Sequence, residues 1–189
     1  MTLERKEKEY LLKLARRAVE LYLREGRTLE LKPADVPHRK LVENGACFVS
    51  LHCNGQLRGC IGTLEAHRPL VFDVIANALC AAFEDPRFMP LCDGDLCNVK
   101  FSISVLTVPK PLQVKDADDL LRKLAPHRHG LTIQKGYAAA TFLPIVWEQL
   151  GDKEEFLSHL FMKAGLEPDG WKKTDGTKFY TYEAEEFSE

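Results

Sequence analysis

Ala46-Cys47-Phe48-Val49-Ser50-Leu51-His52-Cys53-Asn54-Gly55-Gln56-Leu57-Arg58-Gly59-Cys60-Ile61-Gly62 reads as a β-hairpin. The first eight residues are rich in strand formers, Asn54-Gly55 is a strong two-residue turn signal, and Gln56 to Ile61 supplies the returning strand. Side chains alternate along an extended chain, so Arg58 and Cys60 are expected as neighbours on one face, with Leu57 and Ile61 on the other.

Outward from the hairpin, strands continue to arrive in pairs separated by single helices. Upstream, Leu11, Leu12, Leu14, Ala15, Ala18, Val19, Tyr22 and Leu23 recur at helical spacing over residues 5–25, and Gly26 is a natural stop. Residues 27–44, with Pro33 and Pro37, read as an irregular crossing segment in which His38 is exposed. Downstream, Pro69 opens a second helix whose apolar stripe runs from Leu70 to Phe83. Its other face, with Asp73, Asn77 and Glu84, reads as solvated.

Alternation through Val99, Phe101, Ile103 and Val105 predicts a half-buried strand ended by Pro109-Lys110-Pro111. Asp116 caps a short helix to Leu124, and Leu131–Gln134 pairs with Ala138–Leu143 around Lys135-Gly136-Tyr137. Pro144 starts a short helix to Leu150, Asp152 and Glu155 start a longer one to Ala164, and a last strand over Lys178–Glu183 follows the Asp175-Gly176 turn. Strict strand–helix–strand alternation is absent, so the fold class is α+β with a largely antiparallel sheet flanked by helices.

A chain of 189 residues, 45% hydrophobic and 29% charged, suffices for one domain with a sizeable core. A net charge of −2 argues against a dedicated nucleic-acid binder, which needs a clustered positive field. Residues 1–40 hold eleven Lys/Arg against seven Asp/Glu, and residues 152–189 hold five against ten, so these faces have the charge to meet each other. Met1 leads into Glu4-Arg5-Lys6-Glu7-Lys8-Glu9 rather than a secretory apolar region, and no apolar run approaches a membrane span. The six cysteines show no Cys-x-x-Cys spacing and no structural zinc signature. The expectation is a cytoplasmic protein in a reducing compartment.

Three constellations carry chemistry. In Leu57-Arg58-Gly59-Cys60-Ile61-Gly62 a nearby cation favours thiolate over thiol, and the thiolate is the nucleophile. Gly59 and Gly62 let a ligand or another backbone approach the main chain, where N–H groups suit an anion. The same residues also fit packing roles, with Cys60 a small buried hydrophobe and the glycines shaping a bulge and a turn. In Asp85-Pro86-Arg87-Phe88 the guanidinium either binds an anion bidentately or pairs with Asp85 and holds the loop. In Pro126-His127-Arg128-His129-Gly130 an imidazole can serve as a base, as a metal ligand with His52 or Cys53, or as exposed polar punctuation. No dinucleotide fingerprint, Walker loop or radical-SAM cysteine triplet is present, and no cofactor is named by the residues. Trp147 and Trp171 read as packing residues.

Leu57-Arg58-Gly59-Cys60-Ile61-Gly62 resembles the signature of the AMMECR family, named for the AMME chromosomal region, whose prokaryotic members are called AmmeMemoRadiSam system protein A. Further blocks match in order: Ala81 to Phe88, Arg128-His129-Gly130-Leu131, Thr141 to Trp147, Glu155-Phe156-Leu157 and Lys163-Ala164-Gly165-Leu166. Together they cover about residues 10–187, with Ile145 standing where many members have glutamine. The resemblance implies an α+β fold with a smaller subdomain, and association with a Memo-type and a radical-SAM protein. It assigns no reaction. It raises Arg87 and His129, which fall in matching blocks, as companions of Cys60.

Two functions follow as expectations. The first is a small enzyme with a site of Cys60, His129, Arg58, Gly59, Gly62, Asp85 and Arg87 acting on an anionic small molecule or modified residue. Cys60 is then nucleophile or acid/base, His129 its proton partner, and the arginines orient substrate charge. The second is a non-catalytic adaptor that binds a Memo-type or radical-SAM partner through the same surface.

Overall fold

The periodicity over residues 5–25 becomes helix α1 (Arg5–Glu25), ended by Gly26 in the left-handed conformation at φ 65°. A computed structural model describes residues 2–174 and 176–189, so Asp175 of the expected Asp175-Gly176 turn lies outside the described residues. Two 3-10 turns, Pro33–Asp35 and Arg39–Val42, carry the chain to the hairpin. His38, expected in water, is half-buried, its ring edge-on to Tyr10 at 5.8 Å between centroids. The hairpin joins β1 (Asn44–Cys53) to β2 (Gln56–Gly62). Asn54 at φ 51° and Gly55 at φ 79° give the two positive angles that a tight turn matched to strand twist requires.

A two-residue strand, β3 (Arg68–Pro69), leads into α2 (Leu70–Phe83), and β4 (Val99–Leu106) follows a loop. The proline stretch after β4 does more than end it, since Lys110–Pro111 forms a short strand, β5. Then come α3 (Ala117–Lys123), the hairpin of β6 (Gly130–Lys135) and β7 (Ala138–Phe142), a 3-10 turn over Pro144–Glu148, α4 (Lys153–Lys163) and β8 (Lys178–Tyr182). A strand not expected from the sequence, β9 (Ala184–Ser188), ends the chain.

The expected antiparallel sheet is divided in two. One has the strand order β2-β1-β4-β9 with β3 beside β1, and the other has β5-β8-β6-β7. Each belongs to its own compact unit, the larger comprising the residues up to Leu106 with Glu185–Glu189 and the smaller Thr107–Ala184. The final strand returns the chain to the larger unit.

In the larger unit the inner face of the sheet, with Cys47, Val49, Leu51, Phe101, Ile103 and Val105, packs in one cluster with the apolar stripes of α1 and α2. The charge asymmetry between the chain's ends is used here: Lys8 pairs with Glu185 at 2.7 Å, and Arg16 bonds Glu189 and the Val99 carbonyl. The smaller unit is built around Trp147, Phe156, Leu160 and Phe161, with Trp147 stacked on Phe156 at 3.7 Å. Trp171, also buried, donates to Ser158 Oγ at 3.1 Å. Both tryptophans pack as expected.

One face of α2 departs from the sequence reading. Asp73 and Asn77, expected in solvent, are 0% and 3% exposed, while Glu84 is exposed. The Asp73 carboxylate is met on all sides: it accepts from Cys47 N (3.0 Å), Asn77 Nδ2 (3.0 Å), Thr63 Oγ1 (2.5 Å) and Arg68 Nε (2.7 Å). Asn77 also donates to the Cys47 carbonyl at 3.1 Å. A carboxylate is tolerated inside when its oxygens are bonded and a cation is near, and here it ties α2 to β1, β3 and the end of β2. Burial, with Asp73 beside it, holds the Cys47 thiol well above the usual range.

Candidate functional site

An Asn-Gly hairpin without irregularity would pair Cys53 with Gln56, His52 with Leu57, Leu51 with Arg58 and Ser50 with Gly59. The chain keeps the first two pairs and then slips: Leu51 faces Gly59 and Ser50 faces Cys60. Arg58 is the extra residue of a β-bulge. The slip decides which way the signature residues point, because paired residues share a face and the face alternates. Gly59 joins Leu51 on the inner face, and Cys60 joins Ser50 on the outer face.

Gly59 is glycine for a steric reason. A Cβ there would lie 2.0 Å from the Ala81 carbonyl oxygen, so β2 and α2 touch backbone to backbone. At Gly62 a Cβ would lie 2.2 Å from the Phe48 ring and 2.6 Å from the Cys47 carbonyl oxygen. Of the two approaches that glycine permits, ligand or protein, this side of both residues is occupied by protein.

The edge of β2 is closed by the turn after α2. Asp85, 4% exposed, accepts the Cys60 N–H at 2.8 Å through Oδ2, while Arg87 Nη2 donates to the Cys60 carbonyl at 3.2 Å. The two side chains are themselves bonded, Nη2 to Oδ2 at 2.7 Å and Nε to Oδ1 at 3.0 Å, and Oδ1 also accepts the Arg87 N–H at 3.1 Å. Together they act as a neighbouring strand would, taking one donor and one acceptor from an edge. The Arg87 guanidinium, opposed by burial, holds the Asp85 carboxyl down at about 2, assisted by the Cys60 and Arg87 amides. Arg87 is raised in turn, by Asp85 first, with the Cys60 side chain a smaller contributor.

The cation that the geometry places against Cys60 is therefore Arg87. Arg58, expected as the neighbour of the thiol, reaches instead to the Pro90 carbonyl at 3.3 Å and to Asp95 at 3.6 Å, because the bulge interrupts the alternation that would have aligned it. Asp95 also accepts from the Cys92 N–H and thiol, both at 3.2 Å, so Arg58 helps to hold the loop downstream of Arg87. The Cys60 thiol itself is half-buried and accepts from Ser50 Oγ at 3.0 Å. Ser50 was not singled out from the sequence, and only the bulged register brings it to Cys60.

His129 belongs to the smaller unit. Its Nδ1 accepts the Ala125 N–H at 3.2 Å and its carbonyl accepts Trp147 Nε1 at 2.7 Å. Burial first, then the charge of Arg128, lowers its basicity below the ordinary histidine range, so the neutral ring is favoured. It lines a pocket of about 280 Å³ with Thr107, Lys110, Thr181, Tyr182 and Glu183. Among the described residues no three His, Cys, Asp or Glu side chains converge as a metal ion would require, and no helix is long and apolar enough to cross a membrane.

Comparison with known proteins agrees with the architecture. The AMMECR1 family model matches residues 12–187. Protein MK0488 of Methanopyrus kandleri is 40% identical over 193 residues, spanning 100% of this chain and 90% of its own. A protein of Thermococcus onnurineus is 41% identical over 187 residues, covering 96% of this chain and 89% of the other. The crystal structure of the uncharacterized protein PH0010 from Pyrococcus horikoshii superposes with a TM-score of 0.91 at 37% identity, over 99% of this chain and 93% of that one. With the family's model matching nearly end to end and the same α+β fold in a solved relative, the chain belongs to the AMMECR1 family.

Proposed function

We propose that this protein is a small thiol enzyme in which Cys60 is the reacting nucleophile and Arg87 orients an anionic small molecule or a modified residue. The observation that carries this reading is the hydrogen bond from Ser50 Oγ to Cys60 Sγ at 3.0 Å, on a residue whose backbone is held on both sides by Asp85 and Arg87. A donor aimed at sulfur and a guanidinium beside it both favour the thiolate, and a fixed backbone fixes the direction of attack.

The protein contains its own controls, since Cys92 and Cys97 are exposed whereas Cys60 is half-buried. Site-resolved alkylation with iodoacetamide at pH 7 should modify Cys60 faster than either, and Arg87→Ala and Ser50→Ala should each slow it. A Cys60 slower than both exposed thiols removes the nucleophile.

A second reading draws on Met89, which is 80% exposed in the loop that follows Arg87. Under it the protein is an adaptor whose loop docks on a Memo-type or radical-SAM protein, and Cys60 only packs. Co-purification of such a partner, retained in Cys60→Ser and lost in Met89→Asp, would select it.

A further inference from the structure

The pocket that His129 lines belongs wholly to the smaller unit, and the Cys60 reading makes no use of it. Its position follows from the strand register. Thr181 of β8 pairs with Lys110 of β5 on one side and with Leu131 of β6 on the other, and paired residues share a face. Alternation carried back from Leu131, one residue past the start of β6, puts His129 on that face too. Along the same face Leu131, Ile133 and Phe179 are buried in the unit's core. At this end the apolar layer gives way to a lysine, a threonine and a histidine around a hollow of about 280 Å³.

Two polar groups of the lining are already engaged. The Tyr182 hydroxyl bonds Thr141 Oγ1 and the Phe142 carbonyl, and the Glu183 carboxylate holds Arg128 at 2.7 Å. Donors are left over. His129 Nδ1 accepts the Ala125 N–H, so the neutral ring carries its proton on Nε2. Among the described residues Nε2 has no hydrogen-bond partner, and it is not sealed from solvent, so a ligand can reach it. The ring's structural duty is met by Nδ1 alone. Thr107 Oγ1 accepts the Glu183 N–H at 2.9 Å, which leaves its own proton to give, and Thr181 offers a further hydroxyl. Lys110 is exposed and has no carboxylate partner among the described residues.

Charge selects the sign of the ligand. Lys110 and Arg128 against Glu183 leave a surplus cation, and burial keeps the His129 ring neutral, a donor without a charge of its own. Donors that outnumber acceptors beside an unpaired ammonium match an oxyanion. Val108, 72% exposed in the same lining, is an apolar surface for the carbon part of the ligand. The volume lies at the lower end of ligand pockets, which start at roughly 300 Å³, so the ligand is small.

We propose that this pocket binds a small organic anion whose carboxylate or phosphoryl group is held by His129 Nε2–H, Lys110 and the Thr107 and Thr181 hydroxyls. The site stands whether or not Cys60 reacts, because anion binding needs no thiol.

The His129 ring reports on occupancy. Its NMR resonance, assigned by its loss in His129→Gln, is followed at pH 7 while sodium phosphate or sodium acetate replaces chloride at constant ionic strength. The resonance should move saturably; phosphate acting alone selects phosphoryl ligands, and acetate acting alone selects carboxylates. Lys110→Met removes the charge from an exposed strand edge and keeps the length, and it should raise the half-saturating concentration about tenfold, one charged contact. Lys135→Met removes the same charge at the far end of β6, outside the lining, and should leave that concentration unchanged. A shift that stays linear in both anions, or one that the two lysine variants alter alike, would overturn the proposal.

Discussion

Replacing Asp85 by asparagine keeps the shape of the side chain and removes the charge that links Arg87 to the edge of β2. In the folded protein this carboxyl sits at about 2 against an ordinary 3.8, chiefly because Arg87 donates two hydrogen bonds to it. The difference is worth about 2 kcal/mol at ~1.4 kcal/mol per pH unit. Asp85 is 4% exposed but the Arg87 side chain is 55% exposed, so solvent screens the pair and about 2 kcal/mol is an upper bound. A carboxyl held down in the fold stabilises it fully above about 3.8, and that stability is lost as the pH falls through about 2. The Cys60 amide reports directly, since its N–H is bonded to Oδ2. Hydrogen exchange of the peptide covering residues 57–62 at pH 7 should show protection lower in Asp85→Asn by up to about 30-fold. The wild-type protein should approach the variant's protection between pH 4 and pH 2, while the variant stays flat over that interval. Equal protection of the two proteins at pH 7 would refute the claim that this ion pair secures the edge.

Three other outcomes are expected. Gly59→Ala forces a Cβ to 2.0 Å from the Ala81 carbonyl oxygen, a clash between two backbones that no rotamer relieves; urea denaturation should show a loss of about 3 kcal/mol or more. Asp73→Ala strips a fully buried acceptor from Cys47 N, Thr63, Asn77 and Arg68, and the same assay should register about 3–5 kcal/mol. The His129 ring should titrate below the usual 6.5 in an NMR pH series. Because its folded form resists protonation, its contribution to stability should be present above 6.5 and fall away as the pH drops below it.

The elements were legible where a local rule is strong. Gly26 and Gly165 end helices with positive φ, Asp116 and Asp152 accept from the first-turn amides, and Asn54-Gly55 makes the hairpin. β9 was missed because two of the five residues in Ala184–Ser188 are acidic and its value as a strand comes from the edge of β4. Asp73 and Asn77 looked solvated because helical spacing separates an apolar stripe from a polar one but does not reveal a second layer packed against the polar stripe. Of the proposed site, Cys60, Asp85 and Arg87 do meet, yet Ser50 gave no signal, since a serine in a strand is ordinary until its neighbours across the sheet are known.

The amino-acid sequence by itself determined the α+β class, the hairpin and the identity of the residues that meet at β2, because these depend on periodicity, turn chemistry and residue type. Only the tertiary structure decided where those residues point. The approach of Ala81 to Gly59 and the bulge at Arg58 shift the register by one residue. Without that shift Cys60 would oppose Val49 on the inner face; with it the thiol opposes Ser50 on the outer one. A one-residue slip exchanges the two faces of a strand, and what sets it is packing between segments distant in sequence.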